Sequence, residues 1–112
     1  MDTSPQDAAL QAWKRQIDAG FRVIDVLTEG AERLREAQLE AAASAHADAV
    51  ATQKAAARAK DAAELAQLQM QWARSNAEKA LAYWRAVYEN AVQTGTQLAA
   101  CLAQADKEET PR

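Results

Sequence analysis

The chain has 112 residues, 13 basic and 16 acidic side chains and a net charge of −3, and 30 of its residues are alanine. Its seven Val and Ile, three Gly and two Pro are too few for a β-sheet with its turns, and alanine is the best helix former. Hydrophobic residues make up 49%, but more than half of these are alanines, so few larger side chains remain for a compact core. The slight acidic excess argues against nucleic acid as a partner. An all-α chain is the first expectation.

The first helix is predicted over residues 5–59. Ser4 can cap it, Pro5 suits the first helical position and Asp7 places negative charge in the first turn. Gly20 and Gly30 are possible kinks within it, since each glycine costs about 1 kcal/mol against alanine in a helix. Apolar or small residues then recur with a 3-4 spacing typical of a coiled-coil seam, namely Leu10, Trp13, Ile17, Gly20, Ile24, Leu27, Ala31 and Leu34.

A break between helices is predicted near residue 60. Of the 19 residues from 41 to 59, 11 are alanine, and Val50 is the only larger aliphatic residue among them. Asp61 followed by Glu64 three residues later resembles a capping box, and Arg58 and Lys60 favour a helix end just before it. Because no Gly or Pro lies at this point, one continuous helix through residue 61 is the alternative.

The second helix is predicted over residues 62–105, followed by a polar, frayed tail over 106–112. Its apolar residues fall on stripes at helical spacing, one of them running through Leu81, Trp84, Tyr88, Val92, Gly95, Ala99 and Leu102. Residues 1–112 are therefore read as a single domain. The expected fold is an all-α, long amphipathic helical hairpin that is coiled-coil-like and assembles into a helical bundle.

No catalytic, cofactor or metal site is expected, and the chain is not expected to be an enzyme. His46 is the only histidine and is read as a solvated helix residue. Cys101 is the only cysteine, so no intramolecular disulfide can form, and we read it as a small apolar contact in a reducing compartment. The N-terminus has no basic stretch followed by an apolar run, so no secretory signal is expected. No 18-residue apolar stretch exists, and therefore no transmembrane segment is expected.

The apolar stripes are wider than one hairpin contact needs. If each helix buries one seam against the other, a further set of side chains stays exposed in a monomer, namely Phe21, Val23, Val26, Tyr83 and Tyr88. Soluble monomers rarely expose large contiguous apolar patches. The chain is therefore expected to self-associate or to adsorb to an apolar surface, and the two outcomes would compete for the same face.

The region around the predicted break resembles the phasin family, whose members coat intracellular polyhydroxyalkanoate granules in bacteria. The resemblance spans about residues 10–105 and is best at an Asp-x-x-Glu-Leu … Leu-Gln junction followed by an aromatic-rich helix. The matching segments are 59–69 (AKDAAELAQLQ), 72–74 (WAR), Asn76, 78–80 (EKA), 83–85 (YWR) and 89–91 (ENA), with 39–42 (LEAA) upstream.

The resemblance implies a non-enzymatic, cytoplasmic protein at the surface of polyester storage granules that influences granule size and number. It also implies homo-oligomers formed by coiled-coil contacts, and an influence on polyester synthase or depolymerase. The chain lacks the long basic or Pro-Ala-rich tail of some members, so roles that depend on such a tail are not carried over.

Two sets of site residues follow as hypotheses. The polymer-binding set lies on the first helix and consists of Trp13, Ile17, Phe21, Ile24, Leu27 and Leu34. The oligomer interface is assigned to the second helix and consists of Leu65, Leu68, Trp72, Tyr83, Trp84, Val87 and Tyr88. The alternative function is an oligomeric coiled-coil module that docks on a protein partner and binds no polymer. A membrane-surface helix is the third possibility, but the first 60 residues hold 8 bases against 9 acids, without the usual basic excess.

Overall fold

The structure is a computed structural model that describes residues 4–109, although nothing is described of the side chains of Glu108 and Glu109. It contains two long helices, α1 (Pro5–Arg58) and α2 (Ala62–Glu109), and no strand within the described range. The fold class expected from the sequence, an all-α helical hairpin, is confirmed. Helix α1 passes through Gly20 and Gly30 without interruption.

The start of α1 is fixed by a side-chain cap. Ser4 Oγ accepts a hydrogen bond from the backbone N–H of Asp7 at 3.1 Å, and the Ser4 carbonyl accepts one from the N–H of Ala8 at 3.0 Å. Pro5 occupies the first helical position, where a missing N–H leaves no hydrogen bond unmade.

The connection between the helices is built by the acidic pair found in the sequence. Asp61 Oδ1 accepts a hydrogen bond from the N–H of Glu64 at 2.8 Å, and Glu64 Oε2 accepts one from the N–H of Lys60 at 2.9 Å. The sequence alternative of one continuous helix is therefore wrong, because these contacts start a new helix at Ala62.

Helix α2 also extends further than the sequence indicated. It runs to Glu109, so residues 106–109, predicted as part of a frayed polar tail, are helical. The rest of the predicted tail, residues 110–112, lies outside the described residues.

The chain divides into two compact units, each containing a stretch of both helices in antiparallel contact. Within the described range, unit 1 comprises residues 4–32 and 90–109. Within it, Asn90 Nδ2 donates a hydrogen bond to the backbone carbonyl of Gly30 at 2.9 Å. A Cβ atom built on Gly30 would lie 2.6 Å from Thr94 Oγ1, so the two helices approach closely at this glycine.

Unit 2 comprises residues 33–89 and contains a polar contact between the helices. Lys79 Nζ lies 2.9 Å from Asp48 Oδ2, and Ser75 Oγ donates a hydrogen bond to the same oxygen at 2.8 Å. Lys79 Nζ also donates to the backbone carbonyl of Ser44 at 3.3 Å.

The residues between the helices are small or polar. We call the half-buried or buried positions that face the other helix the inner seam. In unit 1 the inner seam consists of Ala12, Arg15, Ala19, Arg22, Val26 and Gly30 on α1, and Asn90, Thr94, Gln97, Cys101 and Ala105 on α2. These positions follow a 3-4 spacing, which is the coiled-coil pattern, but the larger apolar side chains do not occupy them.

This arrangement corrects the packing expected from the sequence. The seam beginning at Leu10 and Trp13 was expected to lie between the helices, with Val23 and Val26 left outside. In the structure Val23 and Val26 are half-buried, while Leu10, Trp13 and Ile17 are exposed. Among the described residues no apolar side chain is fully buried, so the helix pair has no hydrophobic core of its own.

Candidate functional site

Helix α1 carries a continuous exposed apolar surface within unit 1. We call it the α1 apolar face, and it consists of Leu10, Trp13, Ile17, Phe21, Ile24 and Leu27. Trp13 and Phe21 are each 62% exposed, and Ile17 is 44% exposed. Because these residues are three or four positions apart, they lie along one side of the helix. The structure thus brings five of the six residues predicted to bind polymer onto one open face.

Leu34, the sixth residue of that set, has a different environment. It belongs to unit 2 and is half-buried rather than exposed. The 3-4 spacing that links Leu34 to Leu27 through Ala31 is real, but spacing alone does not show how exposed each side chain is.

A charged side of α1 accompanies the apolar face. Lys14, Asp18, Asp25 and Glu29 are all exposed. Asp18 also forms an ion pair with Arg22, which lies one helical turn further along α1. The Nε of Arg22 donates a hydrogen bond to Asp18 Oδ2 at 3.2 Å. Such pairs stabilise a helix by a few tenths of a kcal/mol. Helix α1 in unit 1 therefore presents water-facing charges and an apolar face on different sides.

The residues predicted to form an oligomer interface separate into two groups in unit 2. Leu65, Trp72, Trp84 and Tyr88 are exposed, and the last two are 63% and 69% exposed. The other three residues, Leu68, Tyr83 and Val87, are half-buried.

Tyr83 also supports one of the exposed residues. Its ring meets that of Trp84 edge to face, with the ring centroids 5.4 Å apart. Such a contact holds the Trp84 ring in position on the surface. Leu81, Trp84 and Tyr88, spaced three and four residues apart, form what we call the α2 aromatic face.

A groove of about 550 Å³ runs between the helices of unit 2. It is lined by Trp84, Asn76, Lys79 and Glu40 and by several alanines of α1 and α2. Alanine leaves space where a larger side chain would fill the helix contact, and the groove follows from that composition.

The polar contact of unit 2 shifts one titration. Lys79 and then Ser75 lower the pKa of Asp48 from its ordinary value of 3.8, because both donate hydrogen bonds to the charged carboxylate. Desolvation of the carboxylate raises its pKa, but by less than either hydrogen bond lowers it. Asp48 is therefore held in its charged form between the helices.

The single histidine and the single cysteine of the chain lie in different surroundings. His46 is exposed, and Cys101 is a half-buried free thiol within the inner seam of unit 1. Within the described range no cluster of three or more His, Cys, Asp or Glu side chains is suitable for a metal ion. Neither helix, over that same range, has an apolar stretch that could cross a membrane.

The sequence reasoning missed the polar residues between the helices, chiefly Asp48, Ser75, Lys79, Asn90 and Thr94. A signal was available, because these positions fall on the same 3-4 spacing as the apolar stripes, displaced around the helix. Polar residues at such positions do not by themselves predict a helix contact, because coiled-coil seams are usually apolar. Leu39 and Met70, which are 61% and 68% exposed, were also not assigned to a site.

An antiparallel pair of long helices with a polar inner seam and large exposed apolar side chains defines the chain as an amphipathic helical hairpin protein. A family model described as "Phasin protein" matches residues 7–105. The chain belongs to the phasin family, and the resemblance noted in the sequence is confirmed. This family consists of granule-associated structural proteins.

Comparisons with the curated proteins and with the solved structures give no significant match. The assignment of the family therefore depends on the family model, which covers most of the chain.

Proposed function

We propose that this chain is a non-enzymatic coat protein of polyhydroxyalkanoate granules, which adsorbs through the α1 apolar face and controls granule size and number. Membership of the phasin family supports the polyester granule as the target. The observation that carries the proposal is the exposure of Trp13, Ile17, Phe21, Ile24 and Leu27 along one side of α1 in unit 1.

The proposed mechanism is that of a surfactant. The α1 apolar face lies on the polyester, while the charged side with Lys14, Asp18 and Asp25 points to water. Charged helix surfaces on neighbouring granules keep the polymer surfaces apart and so oppose coalescence. The five side chains are about half exposed, so covering them contributes roughly 4–8 kcal/mol before the costs of binding are subtracted.

Replacing Ile17, Ile24 and Leu27 with Ser tests this proposal. We expect co-sedimentation with polyhydroxybutyrate particles to weaken by more than about tenfold, because three apolar contacts are lost while these exposed positions contribute little to the fold. Circular dichroism checks that the helical signal is retained.

The matched control replaces Gln11, Lys14 and Asp25 with Ser. These positions are exposed on α1 outside the apolar face, and the triple change leaves the net charge unaltered. We expect this control to bind like the unmodified chain. Equal binding by both triple variants would reject the α1 apolar face as the binding surface, and parallel assays with anionic liposomes separate polyester binding from membrane binding.

We further propose that the α2 aromatic face holds copies of the chain together in a homo-oligomer, alongside the exposed Leu65 and Trp72. Trp84 and Tyr88 support this because aromatic side chains with one polar tip are favoured at protein interfaces. Leu68, Tyr83 and Val87 are half-buried and therefore offer less free surface to a second copy.

The oligomer proposal is tested with Trp84→Ser combined with Tyr88→Ser. Sedimentation velocity is expected to show a smaller assembly than that of the unmodified chain, because the largest exposed side chains of the face are removed. The control is Arg85→Ser with Glu89→Ser, which changes two exposed α2 positions without changing the net charge. If the aromatic variant keeps the mass of the parent, the interface lies elsewhere.

A further inference from the structure

The α1 apolar face lies on the outside of the closed helix pair in unit 1, and one edge of it adjoins α2. Trp13 and Leu27 directly follow the inner-seam residues Ala12 and Val26 of α1, and Leu102 directly follows Cys101 of α2. One residue step rotates the side chain by about 100° in a fixed sense in a right-handed helix. Because the helices are antiparallel, this rotation places Trp13, Leu27 and Leu102 on one side of the pair. Ile17 and Ile24, two positions from inner-seam residues in both directions, point away from α2.

The α2 residues at this edge are Ala91, Gly95 and Leu102, each directly after an inner-seam residue. We call them, together with the α1 apolar face, the composite face. Helix α1 supplies most of its bulky side chains, and α2 adds two small residues and one large one. All three α2 residues are exposed, so the closed helix pair already presents the composite face to its surroundings.

Opening the helix pair would expose little additional apolar surface. Among the described residues of unit 1, Val26 in the inner seam and Val23 and Leu98 beside it are half-buried rather than buried. Separation would also break the hydrogen bond from Asn90 to the Gly30 carbonyl. A surface shifts a conformational equilibrium only if it binds one state better than the other. Because opening exposes little additional apolar surface, an apolar polymer would not bind the open state better than the closed state.

We propose that the polyester surface is bound by unit 1 with its helices closed, through one composite face made by α1 and α2. This inference rests on the proposed function, because it takes the polyester as the occupant of the face. It adds a role for α2 in polymer contact, and it excludes a mechanism in which the helices of unit 1 separate on the surface.

The close approach at Gly30 provides a direct test. A Cβ atom at Gly30 would lie 3.5 Å from the Cβ of Thr94, within the range of about 3.5–4.5 Å that a disulfide requires. Gly30→Cys with Thr94→Cys, in a Cys101→Ser background, therefore locks unit 1 closed on oxidation. The same protein with reductant is its own unlocked control, and non-reducing electrophoresis confirms the disulfide.

Binding of the oxidised and reduced forms to polyhydroxybutyrate particles is compared by co-sedimentation. We expect the two affinities to agree within about threefold. A larger loss in the oxidised form that reductant restores would overturn closed binding while leaving the proposed function intact. If the Cys101→Ser parent itself does not bind the particles, the proposed function fails and this inference fails with it.

A second measurement leaves Gly30 and Thr94 unchanged. Glu29 and Gln93 are exposed on the two helices of unit 1 and lie outside the composite face. Spin labels on Glu29→Cys and Gln93→Cys, again with Cys101→Ser, report the distance between the helices. The distance distribution is expected to be the same in solution and on polyhydroxybutyrate particles. A shift to longer distances on the particles would overturn the proposal.

Discussion

Gly30 differs from the other two glycines of the chain in what surrounds it. It is the only fully buried residue among those described, and a Cβ atom there would lie 2.6 Å from Thr94 Oγ1 and 3.2 Å from Thr94 Cγ2. Gly20 and Gly95 have no atom within 4 Å of the equivalent position. Glycine therefore allows close packing of the helices at position 30. At positions 20 and 95 it only makes the helix less stable than alanine would.

Gly30→Ala is expected to destabilise the protein, whereas Gly20→Ala is expected to stabilise it. Alanine gains about 1 kcal/mol over glycine as a helix former at either position. At Gly30 this gain is outweighed by overpacking against Thr94, which costs about 1–3 kcal/mol. Thermal unfolding followed by circular dichroism measures both effects.

Thr94→Ala provides the control for this prediction, because it removes the two atoms that the new Cβ would meet first. Combining it with Gly30→Ala should recover most of the lost stability. If Gly30→Ala raised the melting temperature as much as Gly20→Ala, the close approach of the helices would not be a constraint.

At the scale of the helices, unit 2 joins an alanine-rich stretch of α1 to α2 through a polar contact. Alanine buries little apolar area, so the packing of this stretch contributes little free energy per residue. Asp48, Lys79 and Ser75 add directional contacts that favour one alignment of the two helices. A misaligned pair would lose the contacts of Lys79 and Ser75 with the carboxylate of Asp48.

The stability of the protein should decrease as the pH falls through the lowered pKa of Asp48. The folded-state pKa lies below the ordinary value of 3.8, so this carboxylate stabilises the fold above that value and loses its contribution as it becomes protonated. At neutral pH, Asp48→Asn should have a lower melting temperature than the unmodified chain. Between about pH 5 and pH 2 its melting temperature should fall by less than that of the unmodified chain. Melting curves across this range provide the measurement.

Asp25→Asn is the matched control, because Asp25 is an exposed carboxylate on α1 in unit 1. Its melting temperature should follow that of the unmodified chain across the range. A steep acid transition of unchanged size in Asp48→Asn would show that other carboxylates cause it.

At the scale of the whole chain, the distribution of apolar residues is the reverse of that in a globular protein. The described residues include no buried apolar side chain, while 15 large hydrophobic residues are exposed. Hydrophobic burial is the main favourable term in folding, so an isolated chain folds with little of this driving force. The proposed contacts with further copies or with the polyester surface would supply additional burial.

Thermal stability should therefore depend on protein concentration. Raising the concentration about 100-fold is expected to increase the melting temperature by several degrees, because association stabilises the folded state by mass action. The variant with Trp84→Ser and Tyr88→Ser should show a weaker dependence. Melting that is independent of concentration, together with a monomeric mass, would contradict the need for association.

The sequence by itself was sufficient for the local structure. Alanine content predicted the helices, Ser4 and Asp61 marked their starts, and the family resemblance covered nearly the whole chain. These features depend on interactions between residues at most four positions apart, so they can be read from spacing and residue type. The end of α2 was the exception, because the charged residues up to Glu109 were read as a tail.

Only the tertiary structure decided which stripe faces the other helix. Ile17 and Val26 lie on neighbouring stripes of one helix, and both stripes fit a coiled-coil spacing. The structure places Val26 in the inner seam and leaves Ile17 exposed, because Gly30, Thr94 and Asn90 allow close contact on that side. The spacing of apolar residues along a helix can be read from the sequence. Which side of α1 contacts α2 depends on residues far away along the chain, such as Asn90, which is 60 positions from Gly30.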